Sequence, residues 1–342
     1  MRRRPTRHWP AAATVAIAAA LAIAGCSSSV NSAADSGSSV AYQLGWLPNI
    51  EDAGTWISLE KGYFKDEGVT VSMINGGPTV SVPAVVSSGK ALIGVTGLDE
   101  AAAADQKGAN LKVIGFLFQK TPYGIVSLKR NPIPNPKAMV GKRIGVPAVN
   151  LVAWNAFTSM NGITKNQATV VPTTESSGLL DGQTDGQMAY LTNEPTQQKM
   201  IDAGIQGFSF SDYGYQMATQ AFVVDGSSLA DAGKRKKIEG FMRAVLRGWQ
   251  ISVNDPNLGA QLAVQKYGKD LGLDLEQQQR ESVAQNALIS TTWTKEHGIA
   301  TISPQLLSDS FATIARTGVK AKPDDVVDMS VLAKVYANGP TL

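Results

Sequence analysis

The chain has 342 residues, 43% of them hydrophobic and 17% charged, with 31 Lys and Arg against 28 Asp and Glu and a single cysteine. One cysteine excludes an internal disulfide, a cysteine-based zinc cluster and a redox pair. The formal charge of +3 carries no nucleic-acid footprint, because Arg2, Arg3, Arg4 and Arg7 all stand in the first 25 residues; without them 27 basic residues face 28 acids, a balance of −1.

Those arginines precede an apolar run at 11–24 that ends on Gly25 and Cys26. The run is shorter than the roughly 20 residues of a spanning helix and is flanked by basic residues only at its start, so it reads as a secretory signal. Leu21, Ala22, Ile23, Ala24, Gly25 and Cys26 resemble a lipobox, in which the cysteine receives lipid and becomes the new first residue. The alternative is an ordinary signal peptide that happens to contain a cysteine. Residues 1–25 are thus the expected signal, and the Ser-rich stretch 26–39 a flexible tether.

From residue 40 strand-like runs alternate with helical ones, the pattern of an α/β fold. A strand at 40–46 leads through the loop 47–54 into a helix at 55–61 stopped by Gly62. A second strand at 69–74 runs into Asn75, Gly76, Gly77, Pro78 and Thr79, a tight turn feeding a helix that ends near Gly89. A third strand at 91–95 is followed by Gly97, Leu98, Asp99 and Glu100, which open an alanine-rich helix to Lys107. Strands at 111–119 and 123–128 follow, then a polar stretch with Pro132, Pro134 and Pro136. A second set of units has strands at 143–146, 168–172 and 188–191 and helices at 151–160 and 178–185. A strand at 218–224 crosses back. Beyond Lys234 the chain is helical, and Ile238, Phe241, Met242, Val245 and Trp249 recur at helical spacing, a stripe expected to pack on the first half's sheet.

Leu44, Gly45, Trp46, Leu47, Pro48 and Asn49, then Gly62, Tyr63 and Phe64, then Gly68, Val69 and Val71, resemble the solute-binding proteins of nitrate, sulfonate and taurine importers. The tryptophan-led first loop is more similar to the relatives that bind thiamine pyrimidine precursors and riboflavin. The likeness continues through Ser88, Gly89, Lys90, Ala91, Ile93 and Gly94, the segment 141–146, and Gly182, Asp185 and Pro195. It implies a two-lobed type II periplasmic-binding-protein fold with two crossover strands and with C-terminal helices on the first lobe. Lobe 1 would comprise 40–122 plus 218–342 and lobe 2 123–217, closing on a ligand like a hinged clamp.

Ligands of open α/β sheets bind beyond the carboxyl ends of strands. That rule selects Trp46, Asn49, Asp52 and Trp56; Gly77, Pro78 and Thr79; Gly97, Asp99 and Glu100; Gln119 and Tyr123 at the crossing; and Trp154, Asn193 and Glu194 in the second half. Trp56 reads equally as helix core, Thr79 and Asp99 as helix caps, and Asn193 with Pro195 as a turn. Among these loops only Lys120 is cationic, whereas Asp52, Asp99, Glu100 and Glu194 are acids. With Trp46, Trp56, Tyr123 and Trp154 as stacking faces, the set suits a flat heterocycle with amino groups, an aminopyrimidine or a flavin, over a nitrate, sulfonate or taurine.

A rival of another class is the synthase related to the thiamine-precursor binders, which makes the pyrimidine from its own active-site histidine. Only His8 and His297 exist here, His8 falls in the signal, and no triad or metal cluster can be assembled. The expectation is therefore a non-enzymatic, cofactor-free, metal-free monomer, lipid-anchored through Cys26 on the outer side of the cell membrane. It would deliver a small molecule to an ABC permease and its ATPase, or report it to a membrane sensor.

Overall fold

The computed structural model describes residues 38–173 and 177–342. The signal at 1–25, Cys26 and most of the 26–39 tether lie outside the described residues. Ser39, read as the end of that tether, already belongs to the first strand.

Among the described residues ten strands form two five-stranded sheets. The first contains β1 (Ser39–Gln43), β2 (Thr70–Ile74), β3 (Ile93–Thr96), β4 (Leu111–Phe118) and, from far downstream, β10 (Thr219–Asp225), in the order β2-β1-β3-β10-β4. The second contains β5 (Tyr123–Leu128), β6 (Arg143–Val146), β7 (Thr169–Pro172), β8 (Gly186–Tyr190) and β9 (Ile205–Ser209), in the order β7-β6-β8-β5-β9. In each sheet four strands run in one direction and the strand in the fourth position runs against them: β10 pairs antiparallel with β3 and β4, and β5 with β8 and β9. The chain passes between the sheets twice, after β4 and before β10, which is the two-lobed, doubly crossed topology of the expected fold. Strand β9 and the short helix Gln198–Ala203 before it were not foreseen, since IQGFS has neither period-2 alternation nor an apolar run. The helix expected at 178–185 is one turn, Ser177–Leu180.

Strand β4, at one edge of its sheet, and β5, next to the edge of its own, are apolar and almost wholly buried, as strands covered on both faces should be. The long helix Ala232–Asn254 starts at Asp231, whose side chain accepts a hydrogen bond from the Lys234 amide at 2.9 Å. Its stripe of Ile238, Phe241, Met242, Val245 and Trp249 is buried with Tyr42 and Phe64, and the Phe241 ring centroid lies 4.8 Å from that of Tyr42. Full burial of such side chains is worth about 1.5–3 kcal/mol each. The helix lies so close to Ala53–Glu60 that a Cβ on Gly248 would stand 2.0 Å from the Gly54 carbonyl oxygen. Only glycine permits that approach.

A second core runs through the crossings. Val86 and Phe116 of the first half, Tyr123, Phe157 and Phe210 of the second, and Phe311 and Ile314 of the late helix Pro304–Arg316 form one apolar cluster. The Ala218 amide, just before β10, donates to Ser310 Oγ at 3.1 Å, so this late helix braces the return crossing and also touches Leu151–Met160 in the second half. Among the described residues no helix is long and apolar enough to cross a membrane.

Candidate functional site

The parallel strands β1, β3, β6 and β8 deliver their carboxyl ends to one cavity, and the antiparallel β5 and β10 begin there. Gly45 and Trp46 follow β1, Thr96 and Gly97 end β3, Pro147, Val149 and Asn150 follow β6, and Tyr190, Asn193 and Glu194 follow β8. Tyr123 opens β5 and Gln220 is the second residue of β10, so both reach the same space from the opposite chain direction. The cavity volume is about 130 Å³; at roughly 10–15 Å³ of such space per water it holds on the order of ten waters. Val80, Glu100 and Val149 also line a wider groove of about 780 Å³, and Trp46 and Asn193 an outer one of about 850 Å³.

Among the described residues three carboxyl groups face the cavity and no Lys, Arg or His lines it. Burial pushes Glu51 up to about 7, against the pull of hydrogen bonds from Gln220 and Asn49. Glu100 rises to about 7 through burial and the charge of Asp99, although the Thr96 hydroxyl donates to it. Glu194 rises to about 8, through burial and then the charge of Glu51, and its Oε2 is buried without a partner. The Gln220 amide donates to Glu51 Oε2 at 3.1 Å. Gln220 does so from a left-handed backbone, φ +49°, a conformation rare for a non-glycine residue.

The aromatic walls are ordered by contacts of their own. Tyr123 and Tyr190 meet edge to face, centroids 5.0 Å apart, and the Tyr123 hydroxyl donates to Asn150 Oδ1 at 3.1 Å. Behind the cavity a polar chain links its two sides through the helix Leu275–Ile289. Asn193 Nδ2 donates to Glu281 Oε2 at 2.7 Å, and Gln277 and Gln278 donate to the same oxygen. Gln278 Oε1 accepts from the Ile50 amide at 2.8 Å and Gln285 donates to the Ile50 carbonyl at 2.8 Å, next to Glu51.

Of the residues selected by sequence, Trp46, Gly97, Glu100, Tyr123, Asn193 and Glu194 line the cavity. Trp56 does not: its indole N–H donates to the Asn49 carbonyl at 2.7 Å and its face stacks on Tyr267 at 4.4 Å, fully inside the core. Asn49 caps the turn Ile50–Asp52 through the Glu51 amide and lines only the outer groove. Asp52 is buried beside Tyr42, Asp99 accepts the Tyr215 hydroxyl at 2.7 Å, and Trp154 lies in the core of its helix. Gln119 donates to the Phe116 and Thr301 carbonyls, both at 2.9 Å. Gly77, Pro78 and Thr79 stand off the cavity, Thr79 in the wider groove. The cap of the next helix, Val82–Ser87, is Ser81 rather than Thr79. Gly76 does serve close approach, since a Cβ there would meet the Leu44 carbonyl oxygen at 2.5 Å. Lys120 turns outward to Asp212 at 3.8 Å, and His297 stacks on Trp293 at 3.6 Å, far in sequence from every lining residue.

Sequence reading missed Glu51, Thr96, Asn150, Gln187, Tyr190 and Gln220. Glu51 sat unselected inside a selected loop, while Gln187 and Tyr190 lie within a strand, where position reads as core. A glutamine beside the apolar run 221–224 of β10 was the one available signal.

Comparison with known proteins agrees with this architecture. The riboflavin-binding protein RibY of Chloroflexus aurantiacus is 21% identical over 303 residues, 84% of this chain and 83% of that one. The formylaminopyrimidine-binding protein of Halalkalibacterium halodurans is 20% identical over 244 residues, 70% and 74% of the two chains. The ligand-binding component of an ABC-type import system from Staphylococcus aureus, determined with zinc bound, superimposes with a TM-score of 0.65 at 13% identity, covering 87% of this chain and 99% of that one. Matches to 4-amino-5-hydroxymethyl-2-methylpyrimidine phosphate synthases are partial, that of Legionella pneumophila being 27% identical over 108 residues, 32% of this chain and 34% of the relative. The NMT1/THI5-like family profile matches residues 49–258, and the chain, with its two-lobed periplasmic-binding-protein fold, belongs to that family.

Proposed function

We propose that this protein is the extracytoplasmic solute-binding component of an ABC importer, capturing a small planar heterocycle with amino groups between its two lobes. The observation that carries the reading is the cavity itself: carboxyl groups of Glu51, Glu100 and Glu194, ring faces of Trp46, Tyr123 and Tyr190, and, among the described residues, no cationic side chain. Such walls offer stacking and acceptors for ring N–H and amino groups. A nitrate, sulfonate or taurine sulfonate group would meet three acids there with no guanidinium or ammonium to pair with. Relatives named for riboflavin and for a formylaminopyrimidine support the heterocycle class.

Ligand contacts made with both lobes exist only when the lobes are together, so capture favours the closed form, which the permease and its ATPase then recognise. Lipid on Cys26 would hold the monomeric clamp at the outer side of the membrane. Relatives named as binding proteins, matched over most of their length, support binding rather than catalysis. The test is tryptophan-fluorescence titration with aminopyrimidines, riboflavin, taurine and nitrate. An aminopyrimidine should change the emission, and Trp46→Phe should silence the change where Trp56→Phe preserves it. Binding of the anions alone would refute the reading. Cys26→Ser should move the protein from the membrane to the soluble fraction.

A further inference from the structure

We propose that the cavity takes its ligand as a monocation, a planar base carrying its proton on an amidine-like edge, with Glu51, Glu100 and Glu194 as the counter-charge. The inference deepens the heterocycle-binding reading and rests on it. The three carboxyl groups come from three separate elements, the Ile50–Asp52 turn, the Leu98–Asp105 helix and the loop after β8, and from both sheets' strand ends. One carboxylate is enough to receive the paired donors of a neutral amino heterocycle. Three in one enclosed space, with Glu194 Oε2 buried and unpartnered, retain protons while the cavity is empty and can ionise together only against a ligand that brings positive charge.

The surroundings supply no such charge. Asp52 stands beside Glu51, Asp99 and Tyr215 behind Glu100, Tyr123 and Tyr190 across the wall, and Glu281 beyond Asn193; all are acids or phenols. Lys199, on the helix after Glu194, is the one cation whose charge reaches that carboxyl, and its effect is the weakest of those acting on it. Lys120 is turned outward to Asp212.

The proton balance follows. With Glu51 and Glu100 pushed up to about 7 and Glu194 to about 8, the empty cavity holds protons at neutral pH. A cation favours the ionised carboxylates, so its binding releases protons and its affinity rises with pH. For one site titrating near 7 and driven fully to the anion, the rise from pH 6 to pH 8 is about tenfold.

Calorimetric titration of the full-length protein at pH 6 and pH 8, in two buffers of different ionisation enthalpy, tests this with four probes. Benzamidine is a cation throughout and benzamide its neutral isostere; 2,4-diaminopyrimidine accepts a proton near neutrality and uracil is its uncharged counterpart. The expected result is binding of benzamidine over benzamide and of diaminopyrimidine over uracil. Protons should be released with benzamidine, and its affinity should rise about tenfold from pH 6 to pH 8. Glu194→Gln and, independently, Glu51→Gln should weaken benzamidine and flatten its pH dependence while retaining a cooperative melt. If benzamide and uracil bind as well as their partners, with no proton released, the charge proposal is overturned and the heterocycle reading stands. If none of the four binds and methanesulfonate does, both fall.

Discussion

Gln220 offers the sharpest test of how the cavity is built. Its backbone is left-handed, φ +49°, in a strand whose other residues are ordinary, and its side chain is 8% exposed and donates to Glu51 at 3.1 Å. An L-residue held there costs about 1–2 kcal/mol, which the rest of the fold sustains. Gln220→Ala and Gln220→Gly both remove the donor, so the lost hydrogen bond cancels between them, but only glycine relieves the backbone. Glycine loses about 0.5–1 kcal/mol relative to alanine through the entropy of the unfolded chain. The relief exceeds that penalty, and Gln220→Gly should be more stable than Gln220→Ala by roughly 0.5–1 kcal/mol, a Tm difference of about 1–3 °C in a chain of this size. At the neighbouring Thr219, which has no such backbone, the order should reverse, with glycine the worse by about 0.5–1 kcal/mol. Thermal melts of the four variants by circular dichroism decide it. Alanine more stable than glycine at both positions would show that no strain is stored at Gln220.

Three further outcomes are expected. In the ligand-free protein Glu51, Glu100 and Glu194 are raised from the ordinary 4.5 to about 7, 7 and 8, so their contribution to stability is complete below about pH 4.5 and lost as pH rises through 7–8. Tm should accordingly fall between pH 5 and pH 8, and Glu194→Gln should flatten the slope; a Tm that climbs over this window refutes the burial argument. Gly248→Ala drives a methyl to within 2.0 Å of the Gly54 carbonyl oxygen and 2.3 Å of Ser58 Oγ, and backbone cannot step aside, so denaturant unfolding should register a loss at or above the top of the usual overpacking range of about 1–3 kcal/mol. Asn193→Ala removes one of three donors to Glu281 Oε2, the one that ties the loop after β8 to the Leu275–Ile289 helix, at a cost of about 0.5–1.5 kcal/mol because Gln277 and Gln278 still donate. Because that bond joins opposite sides of the cavity, ligand affinity should drop about tenfold and small-angle scattering should report a larger radius; unchanged values would mean the contact does not hold the lobes together.

The alternation of strands and helices was legible residue by residue. The helix Leu151–Met160 and the strands β5 and β6 fall where their patterns end, and the stripe of Ile238, Phe241, Met242, Val245 and Trp249 is buried against the first half as its spacing requires. Six cavity residues, from Trp46 to Glu194, were reached through one rule about strand ends. The same rule also gathered Trp56, Asn49, Asp99 and Trp154, which follow the right strands but point into helix and core contacts. Position in a loop says where the backbone goes; it does not say which side of the helix a ring occupies.

Local sequence alone thus determined the α/β alternation, the loops that approach the cavity and the acidic, cation-poor character of those loops, because period, capping and charge are properties of neighbouring residues. Tertiary structure decided that Glu51 rather than Asp52 faces the cavity. It also decided that Gln220 reaches it from a strained strand start and that Asn193 is tied to Glu281 across 88 positions of sequence. The physical reason is that a cavity wall is assembled from chain segments remote in sequence, and the burial that raises its carboxyl groups exists only once both sheets are in place.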